Sequence, residues 1–144
     1  MRKKILVVED DRTLLELLRL SFKAAGFSVA TASNGIEALK KARSIIPDAI
    51  LLDLVLPELD GFAVCETLRK DANMASVPIV ALTGLTSELS RVAGFECGAT
   101  DYVSKPANPQ DLVSKIKHWL HHPPPTSPSA HVKAKQIRTV ACVE

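Results

Sequence analysis

A chain of 144 residues with 47% apolar and 24% charged residues is enough for one folded domain and one core. No apolar run approaches the roughly 18 residues of a membrane span. The four apolar residues ahead of Glu9 are too few for a secretory signal core, so a cytoplasmic protein is expected. The net charge of +2 comes from residues 123–144, because residues 1–122 hold 15 Lys/Arg and 15 Asp/Glu. A balanced folded part argues against direct nucleic-acid binding.

Five short apolar runs, 5–8, 29–32, 49–52, 79–82 and 102–103, read as strands buried on both faces. Helical patterns alternate with them. The first, 12–25, spaces Leu14, Leu17, Leu18 and Phe22 for one face and ends at Gly26. The second starts at Asn34 with Glu37 three residues on, a capping-box pattern. The third follows Asp60-Gly61, and the fourth spans about 87–96. The fifth opens on Asn108-Pro109-Gln110-Asp111, with a cap, a proline at the first helical position and an acid in the first turn. Five βα units imply an α/β, doubly wound parallel sheet. The Pro/Ser-rich stretch 123–129 ends the domain expected over 1–122, leaving 123–144 as a linker or disordered tail. Cys65, Cys97 and Cys142 have no metal-like spacing and read as reduced thiols. His118, His121 and His122 read as polar residues at a helix C-terminus, which the helix dipole favours, with Trp119 a packing or contact residue.

In a parallel sheet the carboxyl ends of the strands share one edge, where ligands bind. That edge would gather Glu9-Asp10-Asp11 from the first strand, Asp53 from the third, Thr83-Gly84 from the fourth and Lys105-Pro106 after the fifth. Clustered carboxylates need compensation. Without His or Cys ligands, Mg²⁺ suits the site better than Zn²⁺. Asp is a competent covalent nucleophile toward phosphorus.

The stretches ILVVEDD at 5–11, DLVLPELDG at 53–61, PIVALT at 78–83 and GATDYVSKP at 98–106 together resemble the response-regulator receiver domains of two-component signalling, over about residues 2–122. The resemblance implies a flavodoxin-like (βα)5 fold with strand order 2-1-3-4-5. It also implies Mg²⁺-dependent phosphorylation by a sensor histidine kinase or phosphotransfer protein. Asp53 would be the phosphoacceptor. Asp10 and the backbone carbonyl of Val55 would bind Mg²⁺ with Asp53, and Glu9 would act mainly through a water. Thr83 would be the switch hydroxyl, Tyr102 the switch aromatic and Lys105 the partner of the phosphoryl group. Asp11 would cap the first helix, and a cis bond would precede Pro106. Gly84 stands where the family more often has Ala. One transcription-factor subfamily pairs symmetrically through its fourth helix, fifth strand and fifth helix, which points to Arg91 with Asp111 and Asp101 with Lys115 across a twofold axis. Two other classes fit the sequence less well. An aspartyl phosphohydrolase would need a second Asp where Val55 stands, and an unphosphorylated interaction module would not need the intact acids, Thr83 and Lys105.

Overall fold

Strands whose successive side chains are all buried need a covering layer on each side, and that requirement sets the architecture. The structure, a computed structural model, describes residues 2–57, 59–84 and 97–122. Its strands are β1 (Lys4–Val8), β2 (Ser28–Ala32), β3 (Ala49–Asp53), β4 (Ile79–Thr83) and β5 (Asp101–Ser104). They form one parallel sheet in the order β2-β1-β3-β4-β5, as expected. The helices are α1 (Arg12–Ala24), α2 (Gly35–Ile45), α3 (Gly61–Lys70) and a C-terminal helix, Pro109–His121. The fourth helical stretch expected at 87–96, and the tail 123–144, lie outside the described residues.

The period-two alternation of each strand divides the core. Ile5, Val7, Leu51, Val80 and Leu82 pack with Leu18 and Phe22 of α1 and with Leu112, Val113 and Ile116 of the C-terminal helix. Leu6, Val8, Ile50, Leu52 and Ala81 point the other way, onto Ala38 and Ala42 of α2 and Val64, Cys65 and Leu68 of α3. Burial at about 25 cal/mol per Å² of apolar surface drives both layers together. The strand and helix limits fall within two residues of those read from the sequence, because each helix is capped where the sequence signals it. Asp11 accepts from the Thr13 and Leu14 amides, and Asn34 from that of Glu37. Asp60 accepts from the Ala63 amide, and Asn108 from that of Gln110, ahead of Pro109. One detail departs from expectation. Glu37 does not return to the Asn34 amide but reaches the amide and hydroxyl of Ser33, at 3.5 and 3.3 Å, so the capping box is only half made. Gly26, at φ 98°, takes the left-handed turn that ends α1.

Two polar anchors fix the far strands. Asp101 Oδ2 accepts from Lys115 Nζ and from Trp119 Nε1, both at 3.0 Å, tying β5 to the C-terminal helix. Burial works against the Asp101 charge, but the Trp119, Tyr102 and Lys115 donors outweigh it and hold the carboxyl below its usual range. Arg69 of α3 donates to the carbonyls of Gly98 (2.7 Å), Met74 (2.8 Å) and Val77 (2.6 Å) and to Thr100 Oγ1 (3.1 Å). It thereby holds together the turns that lead into β4 and β5, both at the amino end of the sheet's far half. No helix among the described residues is long and apolar enough to cross a membrane.

Candidate functional site

β2 lies on one side of β1 and β3 on the other, so the winding of the sheet reverses there and a crevice opens beyond the carboxyl ends of β1 and β3. Glu9 follows β1 directly, and its amide donates to Ala32 O at 3.0 Å, continuing the ladder by one residue. Asp53 is the last residue of β3. The register of β3 with β4 sets Asp53 opposite Leu82, which places Thr83 one residue farther along the same edge. Lys105 follows β5, and its amide donates to Thr83 O at 2.7 Å. The bond between Lys105 and Pro106 is cis, as the resemblance implies.

The side chains converge. Lys105 Nζ lies 2.9 Å from Asp53 Oδ2 and 3.1 Å from Glu9 Oε1. Glu9 and Asp53 are buried, at 0% and 2% exposure, and Asp10 is exposed at the mouth. One carboxylate oxygen from each of Glu9, Asp10 and Asp53 falls within a 4.8 Å cluster. Asp53 Oδ1 accepts from the Val55 amide at 2.9 Å, which orients the carboxylate. Glu9 Oε1 also accepts from the Asp11 amide at 3.2 Å. Glu9 Oε2 lies 3.0 Å from Lys105 Nζ but is buried and makes no hydrogen bond. Burial pushes the Glu9 carboxyl up to about 7; the Lys105 hydrogen bond opposes that shift and the charge of Asp53 adds to it. For Lys105, burial favours the neutral amine, but the bonds to Asp53 and Glu9 prevail and raise its pKa.

Three carboxylates against one ammonium leave negative charge to be compensated, and a buried oxygen of Glu9 has no donor. Oxygen-only donors of this kind fit a hard divalent cation such as Mg²⁺. A cavity of about 350 Å³ beside Lys105 runs between Asp11 and Leu14 on one side and Pro106, Ala107 and Leu112 on the other.

Of the other residues singled out, Thr83 is fully buried. Tyr102 is half-buried against the core layer of α2 and α3. Val55 is 52% exposed at the rim. Asp101 and Lys115, expected to pair between two copies, lie 3.0 Å apart as a pair within the chain. Asp111 is exposed in the first turn of the C-terminal helix, and Arg91 lies outside the described residues. Trp119 is a packing residue bonded to Asp101. Sequence reading did not anticipate the Lys105–Glu9 contact or the role of Gly61. A β-carbon on Gly61 would fall 2.3 Å from Asp53 O and 2.4 Å from Leu54 Cα, so only glycine lets α3 start against the end of β3. The Asp60-Gly61 pair just before a helix was the available signal.

Known proteins share this sequence pattern and this fold. The family model described as response regulator receiver domain matches residues 5–117. The alkaline phosphatase synthesis transcriptional regulatory protein PhoP of Bacillus subtilis is 43% identical over 95% of this chain and 56% of its own length. The DNA-binding response regulator MtrA of Mycobacterium tuberculosis is 44% identical over 83% of this chain and 51% of its own. The chain thus spans about half the length of the curated relatives it matches. Among solved structures, a putative response regulator from Chloroflexus aurantiacus has a TM-score of 0.79 at 38% identity, covering 84% of this chain and 99% of that one. The receiver domain of a Pseudomonas aeruginosa sensor histidine kinase has a TM-score of 0.78 at 30% identity, covering 84% and 99%, with a magnesium ion coordinated in its active-site cleft. With this fold, this strand-end cluster and these relatives, the chain belongs to the response regulator receiver domain family of two-component systems.

Proposed function

We propose that this receiver accepts a phosphoryl group on Asp53 from the phosphohistidine of a sensor histidine kinase or phosphotransfer protein, and passes the signal on through the surface of β5, the C-terminal helix and the segment 85–96. The observation that carries this reading is the buried Asp53 carboxylate held 2.9 Å from Lys105 beside Glu9 and Asp10. An Asp53 oxygen forms the new O–P bond as the donor's N–P bond breaks. The Val55 amide fixes the carboxylate's orientation. Lys105 neutralises charge on the transferred oxygens, the kind of electrostatic help on which phosphoryl transfer depends. Asp10, Asp53 and the Val55 carbonyl would hold Mg²⁺, with Glu9 reaching it through water, and the cation would supply further neutralisation. The chemistry is confined to the protein's own aspartate, so the chain is not an enzyme acting on an external substrate.

Thr83 then donates to a phosphoryl oxygen, and Tyr102 turns inward into the space this opens. Reversing a 1:99 population requires about 5.5 kcal/mol. Charge-assisted hydrogen bonds of about 1.5–3 kcal/mol each supply that from two or three contacts. The protein works in the cytoplasm and makes no direct contact with nucleic acid, in keeping with its balanced charge over residues 1–122. Whatever output accompanies the receiver in its longer relatives, this chain contributes the switch.

The direct test is labelling by acetyl phosphate. Wild type should gain one acid-stable, base-labile phosphoryl group only with Mg²⁺ present, and Asp53→Ala should gain none. Labelling of Asp53→Ala at the wild-type level would end the assignment.

A symmetric dimer through Arg91, Asp101, Asp111 and Lys115 is the second part of the proposal. It requires Lys115 to leave its own Asp101, a partly exposed pair worth on the order of 0.5–1 kcal/mol, which bond formation across the axis would return. Sedimentation of the beryllofluoride adduct should show the dimer, and a monomer at high concentration would exclude it.

A further inference from the structure

Apart from the strand-end pocket, one buried group of reactive side chains has no part in the proposed chemistry. Cys65 of α3 stands four residues before Arg69, on the same face of the helix. Cys97 adjoins Gly98, whose carbonyl accepts from Arg69 Nε at 2.7 Å. That bond sets the Cys97 backbone across from Cys65, and both thiols lie in the same core layer, in hydrogen-bond contact with each other. The two are unbonded and are 0% and 8% exposed, respectively. The turn is tightly seated, since a β-carbon on Gly98 would come within 2.5 Å of Arg69 Cγ. The guanidinium's acceptors are carbonyls and the Thr100 hydroxyl, and among the described residues no carboxylate pairs with it. A partly buried cation, with no carboxylate partner among the described residues, thus stands beside two thiols.

We propose that Cys65 and Cys97 form an oxidisable dithiol that a peroxide converts to a disulfide, clamping the turn before β5 to α3. Cys97 is the attacking sulfur, because it is the less enclosed of the two, and the hydrogen bond from Cys65, its largest influence, draws its pKa down. The Cys97 thiolate takes one peroxide oxygen as the O–O bond breaks, giving a sulfenic acid and, after protonation, water. The Cys65 sulfur then attacks the Cys97 sulfur. An S–S bond forms, the S–O bond breaks, and hydroxide leaves with the Cys65 proton as a second water. The two thiols lose two electrons in total and the peroxide is reduced to two waters. A dithiol reverses the change by exchange. The clamp would act five residues ahead of Tyr102, in the same stretch of chain.

The full chain, folded and treated with hydrogen peroxide, then quenched with catalase and unfolded, tests this. Titratable thiols should fall from three to one, and the intact mass should drop by two hydrogen atoms. A non-reducing digest should contain a peptide joining Cys65 to Cys97, and dithiothreitol should restore all three thiols. In Cys65→Ser, Cys97 should be trapped as a sulfenic acid that dimedone labels. Three thiols surviving peroxide, oxidation confined to Cys142, or linked peptides joining Cys142 to either partner would each overturn the proposal. In the first two cases the two thiols would be inert small core residues. None of these readouts depends on the phosphorylation chemistry.

Discussion

Lys105→Met should slow Mg²⁺-dependent phosphorylation by acetyl phosphate about 10²-fold or more, the usual cost of removing one charge-stabilising donor from a transfer site. The ammonium is the only cation within ion-pair distance of Asp53 and Glu9 among the described residues. Removing it leaves two buried carboxylates facing each other. Breaking a buried pair costs about 3–5 kcal/mol, and the 26% exposure of the lysine side chain lowers the expectation to about 1–3. The loss should shrink at mildly acidic pH, where Glu9 protonates, and in excess Mg²⁺, which replaces part of the missing charge. Phosphorylation rates and denaturant midpoints, each measured with and without Mg²⁺, check both halves. Wild-type transfer by Lys105→Met would remove the lysine from the proposed chemistry.

Gly61→Ala should destabilise the protein by about 3 kcal/mol or more, a large effect for one added methyl. Its β-carbon would meet backbone atoms of Asp53 and Leu54, which cannot rotate away as a flexible side chain can. The start of α3 would have to move off the end of β3, breaking the Gly61 amide bond to Leu54 O (3.1 Å). Overpacking of this kind costs about 1–3 kcal/mol before the lost hydrogen bond is counted. The shift also displaces Asp53 from Lys105, so activity should fall with stability. Gly84→Ala is the matched control, since a β-carbon there meets no described atom within 4 Å; it should change stability by less than about 0.5 kcal/mol. Urea titrations of the two variants, with equal effects as the contrary result, decide it.

The strands and most helix limits were legible because they rest on local signals. Double-faced apolar runs, caps at Asp11, Asn34 and Asn108, and Gly26 act within a few residues. The pocket was legible for a different reason: parallel topology forces Glu9, Asp53, Thr83 and Lys105 to one edge whatever the loops do. What depends on side-chain direction across distant elements was not legible. The bond of Lys105 to Glu9 as well as Asp53, the in-chain pairing of Asp101 with Lys115, and the reach of Arg69 from α3 to Gly98 and Thr100 are such cases. So is the meeting of Cys65 with Cys97, separated by 31 intervening residues, for which an odd cysteine count and unremarkable spacing gave no hint. The reach of Glu37 to Ser33 shows the same limit at short range, where a capping pattern specifies the residues but not which amide is taken.

The central claim is that Asp10, Asp53, Thr83 and Lys105 surround one divalent-cation site. Manganese, a paramagnetic divalent ion with the same preference for oxygen donors, reports its own surroundings by broadening nearby amide resonances. Titrating substoichiometric Mn²⁺ into ¹⁵N-labelled protein should first broaden the amides of Asp10, Asp53, Val55, Thr83 and Lys105, and excess Mg²⁺ should restore them. Asp10→Asn should weaken the effect at every one of these positions together. Broadening centred elsewhere, or at Asp10 without Asp53 and Lys105, would contradict a single shared site.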